Sequence, residues 1–167
     1  MEKIAAIIVA SDSRSDGGRE DLTGPAAVEA LAELGIGTIE VMVVKDDVEA
    51  LRDAMIALAD RGDVVLLLTC GGTGLAPRDV TPEATLEVVE RAVPGIPQLL
   101  RQRGLELTSF AALSRGIAGI RGRTLIVNLP GSPRAARENI AFLAPILPHA
   151  LETVAGRAVE CAALRGK

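Results

Sequence analysis

A glycine-rich segment at residues 69–84 carries the residue types and spacing most suggestive of chemistry in this chain. It reads T-C-G-G-T-G-L-A-P-R-D-V-T-P-E-A. Three glycines in four positions let the backbone approach a ligand closely and point its N–H groups at an anion. The charged pair Arg78-Asp79 precedes a predicted helix start in which Thr81 is the N-cap and Pro82 the first helical residue. A phosphate cradle beside a carboxylate indicates chemistry on a magnesium-bound nucleotide.

A second segment, Asn128-Leu-Pro-Gly-Ser-Pro133, repeats this design of strand, glycine loop and helix start. It ends a window, residues 101–137, that holds seven arginines against one acid, Glu106. The arrangement favours a second anion site at a helix N-terminus. Two plainer interpretations stay open, because Ser132 could simply cap the helix and the arginines could be solvated on helix faces.

Asp46 and Asp47 follow the second predicted strand and allow two interpretations. Either residue could cap the next helix, which is a routine role for Asp. Alternatively, we expect this strand end to lie beside the one that carries Asp79. Mg²⁺ takes one or two carboxylates and completes its shell with water and phosphate oxygens. Capping and metal chemistry are equally compatible with the sequence.

Other kinds of site are not supported by the spacing of the residues. The glycine loop is neither G-x-x-x-x-G-K-[ST] nor G-x-G-x-x-G at a helix start. Cys70 and Arg78 do not have the C-x₅-R spacing, so we expect Cys70 to be a buried thiol. The single histidine, His149, is expected to be structural or exposed. Cys70 and Cys161 form neither a disulfide framework nor a metal set, which fits a reducing compartment.

The composition indicates one domain, residues 1–167, with an aliphatic core. Aromatic residues are limited to two phenylalanines, and the net charge is −4 with a pI near 5.1. Stacking of bases on aromatic rings and a basic surface are therefore lacking, so no nucleic-acid partner is expected. No segment reaches membrane-spanning length, and we expect a cytoplasmic protein.

Apolar runs alternate with helical patterns along the chain. Strands are predicted at residues 4–10, 38–44, 64–68, 117–120 and 124–128, and the last two flank a hairpin turn at 121–123. This alternation predicts an α/β fold: a three-layer α/β/α sandwich with a mostly parallel central sheet and one antiparallel edge strand. From Arg134 the chain is predicted to be helical to its end, with breaks near Pro145 and Pro148. Ligands of such sheets bind outside the C-terminal ends of the strands, where both glycine loops begin.

Taken together, these motifs resemble the molybdopterin adenylyltransferase family, the MogA/MoaB group that includes the G domains of gephyrin and its plant counterpart. The matching elements are G-G-T-G-x-x-x-R-D-x-T-P-E-A, S-R-x-x-A-G at residues 114–119, and N-L-P-G-S-P. Residues 11–13 and 21–25 are similar to N-terminal elements of that family. The resemblance spans residues 4 to about 140 and implies the fold of a molybdopterin-binding domain.

The resemblance implies a function in molybdenum cofactor biosynthesis, which is transfer of AMP from Mg·ATP to molybdopterin with release of pyrophosphate. A molybdate-insertion enzyme would receive the adenylated product, and family members form trimers or pairs of trimers. Asp46 and Asp79 would be the catalytic acidic pair that holds Mg²⁺. The implied substrate-binding residues are Ser11, Asp12, Ser13, Gly71, Gly72, Thr73, Gly74, Arg78, Ser114, Asn128, Pro130, Gly131 and Ser132.

Two alternatives accompany this assignment. A paralogue could bind molybdopterin as a carrier or scaffold without turnover, although the intact motif at residues 78–82 favours an active enzyme. A related domain of the competence/damage-inducible proteins shares the G-G-T-G loop but normally has D-D-x-T after it. The chain departs from the family pattern at Cys70, where Thr is usual, and at Thr23, where Ser is usual.

Overall fold

A computed structural model describes residues 4–156 as a six-stranded sheet with helices on both faces. The strands are β1 (Ile4–Ala10), β2 (Gly37–Val44), β3 (Leu66–Cys70), β4 (Arg91–Ala92), β5 (Ala118–Arg121) and β6 (Thr124–Leu129). The helices are α1 (Asp12–Ser15), α2 (Thr23–Glu33), α3 (Val48–Ala59), α4 (Thr81–Val88), α5 (Gly95–Leu105), α6 (Pro133–Leu143) and α7 (Leu147–Val154), with a 3-10 turn at Ser109–Leu113.

The sheet has the order β2-β1-β3-β6-β5-β4. Its first four strands are parallel and β5 is antiparallel to β6, which confirms the predicted fold class. Gly122 makes the predicted hairpin turn with φ +53°. The short strand β4 pairs outside β5, and two exposed residues are too few to produce a pattern that the sequence reveals.

The central strands are buried on both faces, as expected for a parallel sheet covered by helices. Every residue of β3 and β6 is buried, and aliphatic side chains form two clusters, one on each face of the sheet. Helices α2, α5, α6 and α7 cover one cluster, and α3 and α4 cover the other. Close packing of aliphatic side chains thus fixes the strand ends from which the glycine loops emerge.

The prediction that the strand ends of Asp46 and Asp79 are neighbours is wrong. β2 and β3 lie on opposite sides of β1, so the crossover from β2 to β3 passes over β1. The chain that leaves β1 goes on to β2 at one edge of the sheet, whereas the chain that leaves β3 goes on to β4 at the other edge. In open α/β sheets such a reversal of strand order forms the ligand crevice, here at the ends of β1 and β3.

At the starts of α3 and α4 the structure shows which residue is the N-cap and which neighbouring residue has another role. Asp47 caps α3 by accepting the N–H of Ala50 at 2.9 Å, so the capping interpretation belongs to Asp47 and not to Asp46. The prediction that Thr81 is an N-cap is wrong, because Thr81 is the first helical residue and Val80 occupies the cap position. The Thr81 hydroxyl instead donates to the Gly71 carbonyl at 2.8 Å. This bond ties α4 to the first glycine loop.

The ends of the chain lie outside the described residues. The predicted helical tail is described as far as α7, and its last part, with Cys161, falls among residues 157–167. Within residues 4–156 no helix is long and apolar enough to cross a membrane.

Candidate active site

Gly71 fixes the start of the first glycine loop against two neighbouring strands. Its φ is +108°, and a Cβ at this position would collide with the Ala10 carbonyl oxygen. Its N–H donates to the Leu129 carbonyl at 3.0 Å. A Cβ on Gly131 would lie 3.0 Å from the Gly71 Cα, so the two glycine loops pack backbone against backbone. Because the Gly71 amide is used internally, Gly71 contributes close approach and not an anion donor.

The next three residues of the loop turn their carbonyls inward and leave their amides free. The carbonyl of Gly72 accepts the Thr81 N–H at 3.0 Å, and that of Thr73 accepts the Arg115 N–H at 2.9 Å. The carbonyl of Gly74 accepts Arg115 Nε at 2.6 Å. Among residues 4–156, no acceptor pairs with the N–H groups of residues 72–74. Unpaired amides of consecutive residues in a glycine loop are suited to binding an anion.

Asp46 presents a buried carboxylate oxygen to this loop. Its Oδ2 accepts the Asp12 N–H at 2.9 Å, and its own N–H donates to Asp12 Oδ1 at 3.0 Å. Its Oδ1 is buried, lacks a partner among the described residues, and would lie 3.1 Å from a Cβ on Gly72. Burial raises the pKa of Asp46, and the negative charges of Asp12 and Asp79 raise it further. An unpaired buried oxygen of this kind is a place for a cation.

The Asp12 carboxylate also forms a bidentate ion pair with Arg78. Arg78 Nε donates to Oδ2 at 3.0 Å, and Nη2 donates to Oδ1 at 2.9 Å and to Oδ2 at 2.8 Å. These bonds from Arg78 lower the pKa of Asp12. The pair joins the segment after β1 to the glycine loop, so Arg78 is committed to Asp12 in this structure.

Asp79 lies on the other side of the loop from Gly71 and is held by the backbone. Its Oδ2 accepts the Ala76 N–H at 2.9 Å and would lie 2.8 Å from a Cβ on Gly74. Its charge contributes to the raised pKa of Asp46, so the two predicted catalytic acids interact although their strands are not adjacent. The structure thus gathers Asp12, Asp46 and Asp79 around residues 72–74.

The residues present fit a metal ion that brings most of its own ligands better than a metal centre built from protein side chains. Within residues 4–156 no three His, Cys, Asp or Glu side chains form a metal-binding group. Asp46 Oδ1 is a hard oxygen donor that lacks a partner, as noted above. Mg²⁺ commonly binds through one or two carboxylates and takes its other ligands from phosphate and water.

A cavity of about 520 Å³ opens beside the same loop, between α5, the 3-10 turn and α6. Its wall is mostly apolar and includes Leu75, Leu100 and Phe110, with Arg101 and Glu138 as charged members. The predicted substrate-binding residues in its wall are Thr73, Gly74, Ser114, Asn128 and Pro130. The remaining predicted residues lie outside the wall. The glycine loop therefore separates an apolar cavity from an acidic cluster.

Asn128 and Ser114 differ in what they can offer a ligand. Both Asn128 amide protons are used, toward Thr69 Oγ1 at 2.8 Å and Thr85 Oγ1 at 2.9 Å, and its Oδ1 accepts the Ile117 N–H at 3.1 Å. Ser114 Oγ accepts the Gly116 N–H at 3.3 Å, and its proton has no acceptor among the described residues. Ser114 is thus the freer hydrogen-bonding group, and Asn128 joins β3, β6 and α4.

The remaining predicted residues have mainly local roles. Ser132 Oγ accepts the Ala135 N–H at 3.1 Å and caps α6, and Gly131 O accepts Thr23 Oγ1 at 2.9 Å. The hydroxyls of Ser11 and Ser13 lie 3.3 Å apart in the segment after β1. This bond gives Thr23, in the element at residues 21–25, a structural role: it links the start of α2 to the second glycine loop.

The prediction of an anion site built from the arginine window is largely wrong. Most of these arginines form ion pairs. Arg103 and Arg134 pair with the nearby acids Glu106 and Glu138. Arg121 pairs with Asp60, and Arg137 with Glu29 and Glu33, which come from distant parts of the chain. Arg101 lines the cavity, but its Nη1 donates to the carbonyls of Ser114 and Gly116. The count of acids along the window missed most of these partners because they are distant in sequence or lie just beyond its end.

Arg115 is the residue that the sequence analysis did not single out. Besides the two loop carbonyls, its guanidinium contacts the Asp79 carbonyl and the Glu83 carboxylate. The S-R-x-x-A-G motif contained the signal, since an arginine at this point of the chain has no local acid to pair with.

Neither Cys70 nor His149 belongs to this site. Cys70 is fully buried at the end of β3, and burial raises the pKa of its thiol to about 12. A thiol with that pKa stays protonated near neutrality and is a poor nucleophile. His149 lies in α7 and is partly buried. The expectation that Cys70 is a buried thiol is therefore confirmed, and the expectation that His149 is structural or exposed stays a prediction.

Comparison with known proteins finds similar proteins that match nearly the whole chain. The family model described as a probable molybdopterin binding domain matches residues 6–149. Molybdopterin adenylyltransferase of Helicobacter pylori is 37% identical over 156 residues, which are 92% of this chain and 89% of that protein. Gephyrin of Dictyostelium discoideum is 39% identical over 160 residues, 90% of this chain and 22% of that longer protein. The crystal structure of the molybdopterin biosynthesis enzyme MoaB from Thermus thermophilus has 47% identity and a TM-score of 0.88, covering 95% of this chain and 99% of that one.

Proposed function

This chain belongs to the molybdopterin-binding domain family, and on that basis we propose that it is a molybdopterin adenylyltransferase of molybdenum cofactor biosynthesis. Relatives described as molybdopterin adenylyltransferase match nearly its whole length. The structural observation that carries the proposal concerns residues 4–156, in which the buried Asp46 Oδ1 has no partner and lies near a loop whose amides at 72–74 have no acceptor. Such a pairing of cation site and anion site is what a magnesium–triphosphate needs.

The reaction requires alignment more than acid–base chemistry. A phosphate oxygen of molybdopterin attacks the α-phosphorus of ATP, a new P–O bond forms, and the α–β bridging bond breaks with its electron pair leaving on pyrophosphate. The attacking oxygen is already anionic, so no strong base is needed. Positioning and stabilisation of charge are then the main sources of rate acceleration.

Each side of the glycine loop serves one substrate in this proposal. The amides of residues 72–74 would donate to phosphate oxygens of ATP. Asp46 and Asp79 would hold Mg²⁺, which neutralises phosphate charge when bound. The cavity would receive molybdopterin, with the Ser114 hydroxyl as its freest polar group and Thr73 at the junction. Substrates on both sides of one rigid loop would meet with little reorganisation.

The test is an assay of adenylated molybdopterin and pyrophosphate with molybdopterin, ATP and Mg²⁺. We expect Asp46→Asn and Asp79→Asn each to lower turnover about 100-fold or more. Asp47→Ala is the matched control, because it removes a helix cap worth about 1 kcal/mol and leaves turnover unchanged. Turnover of both Asn variants within about threefold of wild type, with normal unfolding curves, would contradict the acidic-pair proposal.

A molybdopterin-binding protein without turnover is the second candidate. It is favoured by the cavity, whose wall is formed without Asp12, Asp46 or Asp79. Calorimetric binding of molybdopterin with no pyrophosphate release from wild type would establish it. Adenylated product formed only with Mg²⁺ would exclude it.

A homotrimer, or a dimer of trimers, is the proposed assembly. The exposed face of β2 carries the aliphatic side chains of Ile39, Val41 and Val43, and α2 adds Leu22 and Leu34 at its ends. Several exposed aliphatic side chains on one strand are typical of a protein interface. We place this face in the subunit contact.

The proposed setting follows from the reaction and the buried thiol. The product would pass to an enzyme that inserts molybdate. A reduced Cys70 fits a cytoplasmic protein, and the acidic composition supports small-molecule partners rather than nucleic acid.

A further inference from the structure

Arg115 forms several hydrogen bonds with the first glycine loop in addition to its ion pair with Glu83. Its backbone N–H donates to Thr73 O at 2.9 Å, and its Nε donates to Gly74 O at 2.6 Å. Its Nη2 donates to the Asp79 carbonyl, which lies on the far side of the loop. One residue, 36 positions away in sequence from Asp79, thus holds three carbonyls of the loop.

The orientation of these carbonyls decides where the loop amides point. A peptide unit is planar, so a carbonyl held toward Arg115 turns the N–H of the same unit to the opposite side. The carbonyl of Thr73, held by the Arg115 backbone, belongs to the unit that carries the Gly74 N–H. The carbonyl of Gly74, held by the Arg115 side chain, belongs to the unit that carries the Leu75 N–H. Released carbonyls would be free to rotate toward the ligand, and a carbonyl oxygen repels a phosphate.

The Arg115 guanidinium is itself occupied, which argues against direct phosphate binding. Nε and Nη2 take the loop carbonyls, Nη1 donates to Glu83 Oε1, and Nη2 also reaches Glu83 Oε2 at 3.4 Å. The bond from Arg115 lowers the pKa of Glu83, so the pair stays ionised near neutrality. Glu83 belongs to the first turn of α4, whose first residue, Thr81, holds the other two loop carbonyls.

We propose that Arg115, anchored by Glu83, is a positioning residue for adenylyl transfer: it fixes the carbonyls of Thr73, Gly74 and Asp79, so that the amides of Gly74 and Leu75, which share peptide units with the first two carbonyls, face the ATP phosphates. The inference rests on the proposed function and adds a residue to it. Arg115 acts through the loop and touches neither substrate. Lysine cannot replace it, because an ammonium lacks the fork of donors that reaches three acceptors.

The test compares Arg115→Gln, Arg115→Lys and Glu83→Gln with the control Arg121→Gln. Arg121 is matched because it also binds a carboxylate, Asp60, and a carbonyl, Val88 O at 3.4 Å, but at the far end of β5. We expect Arg115→Gln and Arg115→Lys to lower kcat/KM for ATP about 100-fold, as a displaced loop should. Glu83→Gln should lower it about 10-fold, and Arg121→Gln should stay within about twofold.

Amide NMR supplies a readout that a purely structural role would not move. In wild type and Arg121→Gln, Mg·ATP should shift the N–H signals of Gly72, Thr73, Gly74 and Leu75. In the Arg115 variants the Leu75 signal, whose peptide unit the side chain holds, should lose most of its response while the cavity wall, followed through Phe110 N–H, still responds to molybdopterin. If Arg115→Gln fails to fold, Arg115→Lys and Glu83→Gln carry the same comparison.

The two ways of failing are distinguishable. Loop amides in wild type that ignore Mg·ATP, together with no adenylated product, would refute the proposed function and this inference with it. A normal wild-type response retained in both Arg115 variants, with kcat/KM within about threefold, would overturn the positioning role and leave the proposed function standing.

Discussion

Replacing Gly72 by Ala tests whether the backbone at this position sets up the site. Gly72 has φ +62°, and a Cβ there would collide with Thr81 Oγ1 and lie 3.1 Å from Asp46 Oδ1. The added methyl group therefore presses on the bond that anchors the loop to α4 and on the proposed metal ligand. Glycine is needed here for two separate reasons, the left-handed conformation and the space.

The expected magnitude follows from these two effects. A left-handed conformation costs a non-glycine residue about 1–2 kcal/mol. Losing the Thr81 hydroxyl bond to Gly71 O adds about 1 kcal/mol. The free energy of unfolding should therefore fall by about 2–3 kcal/mol, which for a protein of this size lowers Tm by about 4–12 °C.

Gly35→Ala is the matched control. Gly35 has φ +70°, yet a Cβ there would meet nothing within 4 Å. This variant should lose about 1–2 kcal/mol from backbone conformation alone. Its adenylyl transfer should stay at the wild-type rate, because Gly35 lies in the turn between α2 and β2.

Pyrophosphate release is measured for both variants at a temperature where each is folded. Thermal unfolding of both variants is measured separately. Gly72→Ala should lower kcat/KM for ATP about 100-fold, because Asp46 Oδ1 and the loop amides move relative to one another. Equal stability losses in the two variants, with Gly72→Ala active within about threefold of wild type, would refute the reasoning that this glycine packs against the site.

Three further outcomes follow from the structure. Asn128→Asp should lower the free energy of unfolding by about 2–4 kcal/mol in urea titrations, since it replaces two buried donors by a charge, whereas Ser114→Ala should keep its stability and weaken molybdopterin binding in calorimetry. In a Cys161→Ser background, Cys70 should resist iodoacetamide at pH 8, because its pKa of about 12 keeps the thiol protonated and it is buried; rapid labelling of folded protein would contradict this. Ile39→Lys should dissociate the assembly in sedimentation velocity while Leu86→Lys, another exposed aliphatic position, on α4, leaves it intact; assembly unaffected by Ile39→Lys would remove β2 from the contact.

The sequence by itself determined the fold class and the segments that carry the chemistry. β1 was predicted with its observed limits, because a buried strand of a parallel sheet is a short aliphatic run that needs no partner to be recognised. The hairpin at Gly122 and the cap at Ser132 were equally local, since each depends on a few adjacent residues. The glycine motif located the loop beside Asp46 for the same reason.

Tertiary structure decided which group of each motif faces a ligand. The strand order put β1 between β2 and β3, and only packing across the sheet could distinguish Asp46, with its unpaired oxygen, from the capping Asp47. The Gly71 amide donates to the Leu129 carbonyl and is therefore not available to a ligand, and Arg115 binds the loop from a distant part of the chain. These bonds join residues that are far apart in sequence, and a local pattern cannot reveal them because close packing of the whole domain selects the partners.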